Sequence, residues 1–332
     1  MAQRKITIRG AGIAGLWQTL TLARAGHDVT LLERSEEPFE SACSFYAGAM
    51  LAPYAEEEGA EALIRELGLR SIELWRETYP ETRSNGSLVL APPRDRRELD
   101  RFERMTEGHE RVDEAKIAKL EPDLAGDYAT GLYFAGEAHV HPHSAMDFLL
   151  EEAEEAGATA HFGQEQVPRG TEMVIDCRGL AARDELGELR GVRGERLVIR
   201  TGEVTLNRPV RLLHPRFPLY VVPWGHGFYL IGATQIESDE EGTVSVRSAL
   251  DLLSTAYALH PAFGEAEIVG FGAGVRPAFR DNQPRIIVKS DHIHVNGLFR
   301  HGFLLAPALA EMTARYIEDG TTHPEVFVEH RN

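Results

Sequence analysis

The chain has 332 residues, 43% of them hydrophobic and 26% charged, the profile of a soluble globular protein with room for two domains. Its 35 basic and 52 acidic residues leave a net charge of −17, which argues against nucleic acid or an anionic membrane as partner. Two cysteines, Cys43 and Cys177, are too few for a disulfide framework or a four-sulfur metal site.

Residues 4–9 read as a strand, followed by a glycine turn and a helix from Ile13 to Ala25 with Gly26 just past its end. Asp28–Glu33 is a second strand, so the opening is a right-handed βαβ unit. Helical spacing runs from Glu61 to Thr78, Ser87–Leu90 is a strand, and charged helices fill 95–120. Leu132–Phe134 and His139–His141 read as extended, and Ser144 as the cap of a helix running to about Ala156. Thr159–Phe162 and Met173–Cys177 are strands, the second entering a turn at Gly179.

Between 196 and 232 three apolar runs separated by Gly and Pro turns predict an antiparallel sheet. A helix follows at 246–258, then a strand leading to Arg276, and a last helix from Leu305 to Ile317 with Pro307 in its first turn. The expected organisation is interleaved. Segments 1–60, 136–190 and 272–332 form a Rossmann-like α/β domain, and 61–135 with 191–271 form an α+β domain on an antiparallel sheet. No apolar stretch reaches the ~18 residues of a membrane span, and the N-terminus has no leader features, so a cytoplasmic location is expected.

Gly10-x-Gly12-x-x-Gly15 lies between a strand and a helix, as a dinucleotide fingerprint requires. Gly10 permits the tight turn, Gly12 the close approach of a pyrophosphate, and Gly15 the packing of helix on strand. Free N–H groups at Ile13 and Ala14 would meet the phosphates. Glu33 ends the second strand where a carboxylate holds ribose hydroxyls, which disfavours NADP. A nicotinamide-linked dehydrogenase remains the other reading of that fingerprint.

The small-residue loop Ser44–Pro53 would let backbone approach a flat ring, or is a plain packing loop. The segment Asn296–Pro307 would set a helix N-terminus, with its partial positive charge, beside such a ring, or is an ordinary helix entry. Arg276, before a proline, has the fork to grip a carboxylate, and Tyr220 a hydroxyl to donate to it; each also has a purely structural reading. His139-x-His141-x-His143 would face one side of a strand, but Pro142 and the lack of a nearby carboxylate or cysteine count against a metal, and none is expected. The acidic run Glu56–Glu58 reads as solvated surface.

Taken in order, Arg9–Gly15, Ala47–Pro53, Gly136–Pro142, Tyr220–Pro223, Gly232–Thr234, Gly274–Pro277, Asp281–Pro284 and Phe299–Pro307 resemble the glycine oxidases of thiamine biosynthesis, in the D-amino-acid oxidase family of flavoenzymes. The resemblance spans nearly the whole chain and implies noncovalent FAD. By position it implies that Glu33 and Arg34 hold the adenosine end and that Val167 touches adenine. It further implies that Ser44 and Ala47, Gly48, Ala49 and Met50 line the flavin, with Arg300, His301, Gly302, Phe303, Leu304 and Leu305 beside it, and Gly179 nearby. Tyr220, Arg276 and Arg300 match the substrate-binding positions.

The implied reaction moves a hydride from the Cα of glycine or another small amino acid to flavin N5, with no side chain acting as base. O2 yields hydrogen peroxide, and the imine hydrolyses or passes to a thiazole synthase. A homo-oligomer is implied as well. Two departures stand out. Ala49 occupies a position where the family usually has glycine, and Gln235 follows Gly232-Ala-Thr234 where an apolar residue is usual, which opens sarcosine or small D-amino acids as alternative substrates.

Overall fold

A computed structural model describes residues 3–214 and 218–329. In chain order its elements begin β1 (Lys5–Arg9), α1 (Ile13–Arg24), β2 (Asp28–Glu33), β3 (Met50–Leu51), α2 (Ala62–Thr78), β4 (Ser87–Leu90), α3 (Arg96–Met105), β5 (Glu110–Asp113), α4 (Glu114–Leu120) and β6 (Thr130–Phe134). There follow β7 (Ala138–His139), α5 (Pro142–Glu155), β8 (Thr159–Phe162), β9 (Met173–Asp176), β10 (Arg190–Arg200), β11 (Val210–Leu212), β12 (Leu219–Gly225) and β13 (Phe228–Gly232). The last are β14 (Ile236–Glu237), α6 (Val246–Leu259), β15 (Glu267–Ala278), β16 (Arg285–Lys289), β17 (His292–Asn296), α7 (Gly302–Asp319) and β18 (Phe327–Glu329).

Two large sheets result. The first runs β18-β16-β17-β9-β1-β2-β8, parallel except for the β16–β17 hairpin, so its central strands β9, β1 and β2 are the apolar ones. The N-terminal βαβ unit forms as its pattern predicts: Leu16, Trp17 and Leu20 bury one face of α1, and Gly26 stops the chain at φ +88°. Helix α1 packs against α5 and α7, and α2 against α7. The second sheet runs β14-β10-β13-β12-β11-β4-β6-β5, with β15 paired along the full length of β10. Leu252, Ala256 and Leu259 of α6 cover its apolar face.

Several boundaries differ from the sequence expectations. Charged segment 95–120 is two helices with β5 between them. The strand at 139 ends at His139, because Pro142 takes the first position of α5; the cap is His141, whose Nδ1 accepts from the Ser144 N–H, and not Ser144. Helix α7 starts at Gly302, three residues earlier than expected, so Pro307 lies inside it. Proline cannot donate to the carbonyl four residues back. That acceptor, Phe303 O, is taken instead by Trp75 Nε1–H at 2.8 Å, while Ser71 Oγ accepts from the Ala308 N–H at 3.2 Å. Helix α2 thereby replaces the bond that Pro307 removes.

Candidate active site

Gly10 holds φ +98°, and a Cβ there would stand 2.8 Å from the Cys177 carbonyl oxygen. A Cβ on Gly15 would stand 1.8 Å from the Gly10 carbonyl oxygen. Only hydrogen fits at either place, which lets the start of α1 close onto β1 and the end of β9. Gly12 precedes the first turn of α1, and no side chain caps that helix from within its own sequence. The Ile13 N–H donates to Ser44 Oγ at 3.1 Å, and the Ala11 N–H to Glu33 Oε2 at 2.8 Å. Glu33 is buried, and its Oε1 accepts from Ser35 N–H and Ser41 Oγ, each at 3.1 Å.

A cavity of about 410 Å³ opens on this turn, walled by Gly10, Gly12, Ile13, Ala14, Glu33, Arg34, Ser44 and Gly179 among others. A second, of about 580 Å³, is walled by Ser44, Ala47 to Met50, Tyr220, Arg276 and Arg300 to Leu304. Cys43, Ser44, Tyr46, Gly274, Phe299 and Gly302 wall both, so the two make one elongated trough. Gly15 packs behind the turn and Leu305 is buried in the core, and neither reaches the trough. On the β8–β9 connection it is Gln164 and Glu165 that wall the trough, while Val167 does not.

Burial pushes both the Cys43 and the Cys177 thiol up, so both stay protonated and unreactive at neutral pH. Ala49 sits buried at φ +51°, a conformation that favours glycine.

The wide end of the trough is built around cations. Arg276 Nη1 donates to Thr234 O at 3.2 Å, and its guanidinium lies flat across Gly194, where a Cβ would come within 2.1 Å of it. The Tyr220 side chain crosses Gly48 and Gly232 in the same way, its ring 2.9 Å from a hypothetical Cβ on Gly48 and its hydroxyl oxygen 2.8 Å from one on Gly232. Burial raises the Tyr220 phenol above its ordinary value, so it remains a hydrogen-bond donor. Gly194→Ala is therefore expected to lift Arg276 off the sheet and weaken binding of a carboxylate ligand in this cavity by roughly 10- to 100-fold. Titration of wild type and variant with a small carboxylate checks that expectation.

The acidic run at 56–58 departs from the solvated reading. Glu56 walls the trough, with Oε2 at 2.7 Å from Arg300 Nε and 3.5 Å from His301 Nδ1. Burial opposes its charge, but Arg300, His301 and Arg211 together hold its carboxyl below the ordinary value. Burial also holds His301 down at about 4, so that imidazole is neutral at pH 7. Glu58 pairs with Arg211 at 3.0 Å. The short 3-10 helix Ala55–Glu58 is fixed from below by the buried Glu137, whose Oε1 accepts from the Ala55 N–H at 2.8 Å and whose Oε2 accepts from Ser87 Oγ.

The three histidines of the motif do not converge on one point, although the His141 and His143 rings lie 5.4 Å apart. His139 is a buried strand residue paired with Met50, His141 caps α5, and His143 lies within α5 with Nε2 at 2.8 Å from Phe45 O. Burial lowers all three, His139 to about 3 and His141 to about 4.

Residues 5–316 match the sequence model of the FAD dependent oxidoreductase family, DAO. The chain belongs to that family. A Rhizobium etli protein named as a thiamine biosynthesis oxidoreductase, ThiO, is 47% identical over 325 residues, covering 97% of this chain and 98% of the relative. A Synechocystis protein named as bifunctional ThiO/ThiG is 26% identical over 96% of this chain, which spans 52% of that relative. The crystal structure of glycine oxidase from Geobacillus kaustophilus superposes with a TM-score of 0.83 at 23% identity, covering all of both chains.

FAD, the cofactor of the family, fits the trough. Gly10 and Gly12 wall the narrow cavity at the N-terminus of α1, Gly15 lets that helix close onto the turn, and the small residues Ala47, Gly48 and Ala49 line the wide one. No helix of the described residues is long and apolar enough to cross a membrane.

Proposed function

We propose that the protein oxidatively deaminates glycine or another small amino acid, with Arg276 and Tyr220 binding the substrate carboxylate. The observation that carries this reading is that both side chains wall the same cavity as Ser44, residues 46–50 and the segment 300–304. FAD supplies the two-electron acceptor. Overall, glycine, water and O2 become glyoxylate, ammonia and hydrogen peroxide.

In this reading Arg276 offers the substrate the nitrogens that Thr234 leaves free, and the protonated Tyr220 hydroxyl adds a donor. Arg300, paired with Glu56 at 2.7 Å, walls the same cavity. Burial holds His301 at about 4, which makes it a weak proton acceptor, and Glu56 is tied to a guanidinium, so neither is poised as a base. Catalysis then rests on orientation and exclusion of water.

We take residues 1–60, 136–190 and 272–332 as the FAD-binding domain, and 61–135 with 191–271 as the substrate domain. The adenosine end would lie on Glu33 and Arg34. The bifunctional ThiO/ThiG relative supports passing the imine to a thiazole synthase, and we read the protein as a cytoplasmic homo-oligomer. Gln235, on the cavity wall at the position where an apolar residue is usual, carries a second reading, in which sarcosine or a small D-amino acid is preferred.

The test is the absorption spectrum of the purified protein without oxygen, before and after glycine. Bleaching of the flavin bands supports the proposal. Bands unmoved by glycine but bleached by sarcosine, D-alanine or D-proline move it to the second reading. No flavin after incubation with FAD sinks both.

A further inference from the structure

On the sheet face under the 3-10 helix Gly179–Asp184, four side chains that the flavin chemistry does not use come together. His292 and His294 are two apart on β17 and therefore share a face. Their rings stack with centroids 4.9 Å apart and planes 10° from parallel. Strand β17 runs parallel to β9 in a register that sets His294 beside Asp176. Glu185, just past the short helix, folds back over both histidines, with Oε2 at 3.5 Å from His294 Nε2 and 3.9 Å from His292 Nε2. One donor atom from each of Asp176, Glu185, His292 and His294 lies within 4.8 Å of the others.

The imidazoles are what make the cluster unusual. His294 is fully buried, yet neither of its ring nitrogens has a hydrogen-bond partner, and the buried Nε2 of His292 has none either. Three buried, unpartnered nitrogens in one spot are costly unless a water or an ion meets them. The carboxylates are already oriented. Asp176 Oδ2 accepts from Arg178 Nε at 2.7 Å and Arg9 Nη1 at 3.3 Å, and Glu185 Oε1 accepts from Arg178 Nη2 at 3.0 Å. That leaves Glu185 Oε2 turned to the histidines. Two guanidiniums oppose a cation here, and Lys289 Nζ adds a third positive group at 3.4 Å from Glu185 O. Asp184, held by Arg178 at 3.0 Å, offsets part of that charge.

We propose that Asp176, Glu185, His292 and His294 bind a single divalent transition-metal ion of the zinc, cobalt or nickel class. Two imidazoles with two carboxylates suit those ions, whereas calcium and magnesium want oxygen alone. Ligand bonds of about 2.0–2.2 Å require the four donors to close up modestly from their present spacing. The ion would pin β17 and the short helix to the end of β9. Both neighbours reach the cofactor trough: Asn296, at the end of β17, donates from Nδ2 to Gly179 O at 2.9 Å, and both residues wall the narrow cavity.

The experiment uses the FAD-loaded protein, freed of any purification tag, stripped with chelator and dialysed. Zn²⁺ uptake is measured by equilibrium dialysis with elemental analysis, and Co²⁺ uptake by its d–d absorption to the red of the flavin bands. The expected result is a single ion per chain, with binding weakened at least ~10- to 100-fold in His292→Gln and in Glu185→Gln. Both residues are partly exposed, so these variants are chosen over changes at His294, and their flavin absorbance reports that they are folded. Substoichiometric uptake by the wild type, or uptake that the two variants leave unchanged, overturns the proposal and leaves ordered water at the imidazoles.

Discussion

Replacing Arg276 by leucine is expected to lower kcat/KM for glycine by roughly 30- to 5000-fold, equivalent to about 2–5 kcal/mol, while the protein keeps its flavin. The range follows from stranding a carboxylate in a buried site without its charged, forked partner. Most of the loss belongs in KM, because the carboxylate is held alike before and during reaction. Arg276→Lys should recover only part of it, since an ammonium keeps the charge but cannot both donate to Thr234 O and present a planar fork. Steady-state kinetics with matched flavin content decide the matter. Unchanged kinetics in the leucine variant would move the carboxylate grip to Arg300 and remove the main support for the proposed function.

The second large effect concerns Glu137, which touches no substrate. Burial drives its carboxyl up to about 7, against the bonds from Ser87 and the Ala55 N–H that pull it down, and the nearby Glu56 adds to the rise. In the unfolded chain the same group titrates near its ordinary value of about 4.3. Between those two values the folded protein keeps a proton that the unfolded chain has lost, so this group's contribution is full below about 4.3 and falls away as pH rises through 7. Glu137→Gln keeps an acceptor for Ala55 and has no charge to bury. Its stability relative to wild type should climb from pH 5 to pH 8, reaching a gap of roughly 3 kcal/mol. Denaturant unfolding of the two proteins at both pH values measures it. A gap that does not change with pH would mean that Glu137 is already ionised at pH 5.

What the sequence revealed and what it concealed divide along the range of the interactions involved. The βαβ opening, the stop at Gly26 and helix α2 depend on spacing within a single element, and all three were legible. The start of α7 was not, because His301 contributes no capping bond and Pro307 imitates a first turn; the reason a proline is tolerated there is Trp75, on another helix. Strand β11 is three residues long and finds its parallel partner β4 far back in the chain, so no local pattern announced it.

Within the trough, the positions flagged by motif lie on its walls, apart from Gly15, Val167 and Leu305. Glu56 reads as solvated surface in the sequence and Gly194 goes unremarked, for a shared reason. One looks like part of a charge run until Arg300 arrives beside it, and the other is an unremarkable strand glycine until Arg276 lies across it. His292-x-His294 was equally unmarked, since its carboxylate neighbours lie on β9 and the turn after it.

The strand order of the first sheet has a consequence for how the protein is made. Strands β1 and β2, within the first 33 residues, flank one another, but β1 finds its other neighbour only at 173–176, and that strand finds its own at 292–296. The trough gains its last wall at residues 302–304. Emerging from the ribosome, the glycine turn must wait, incompletely paired, while nearly the entire polypeptide is synthesised, and pairings of such long range form slowly. Flavin capture is thus a late step, and a chain stalled before residue 302 would have the phosphate turn without the pocket that it serves.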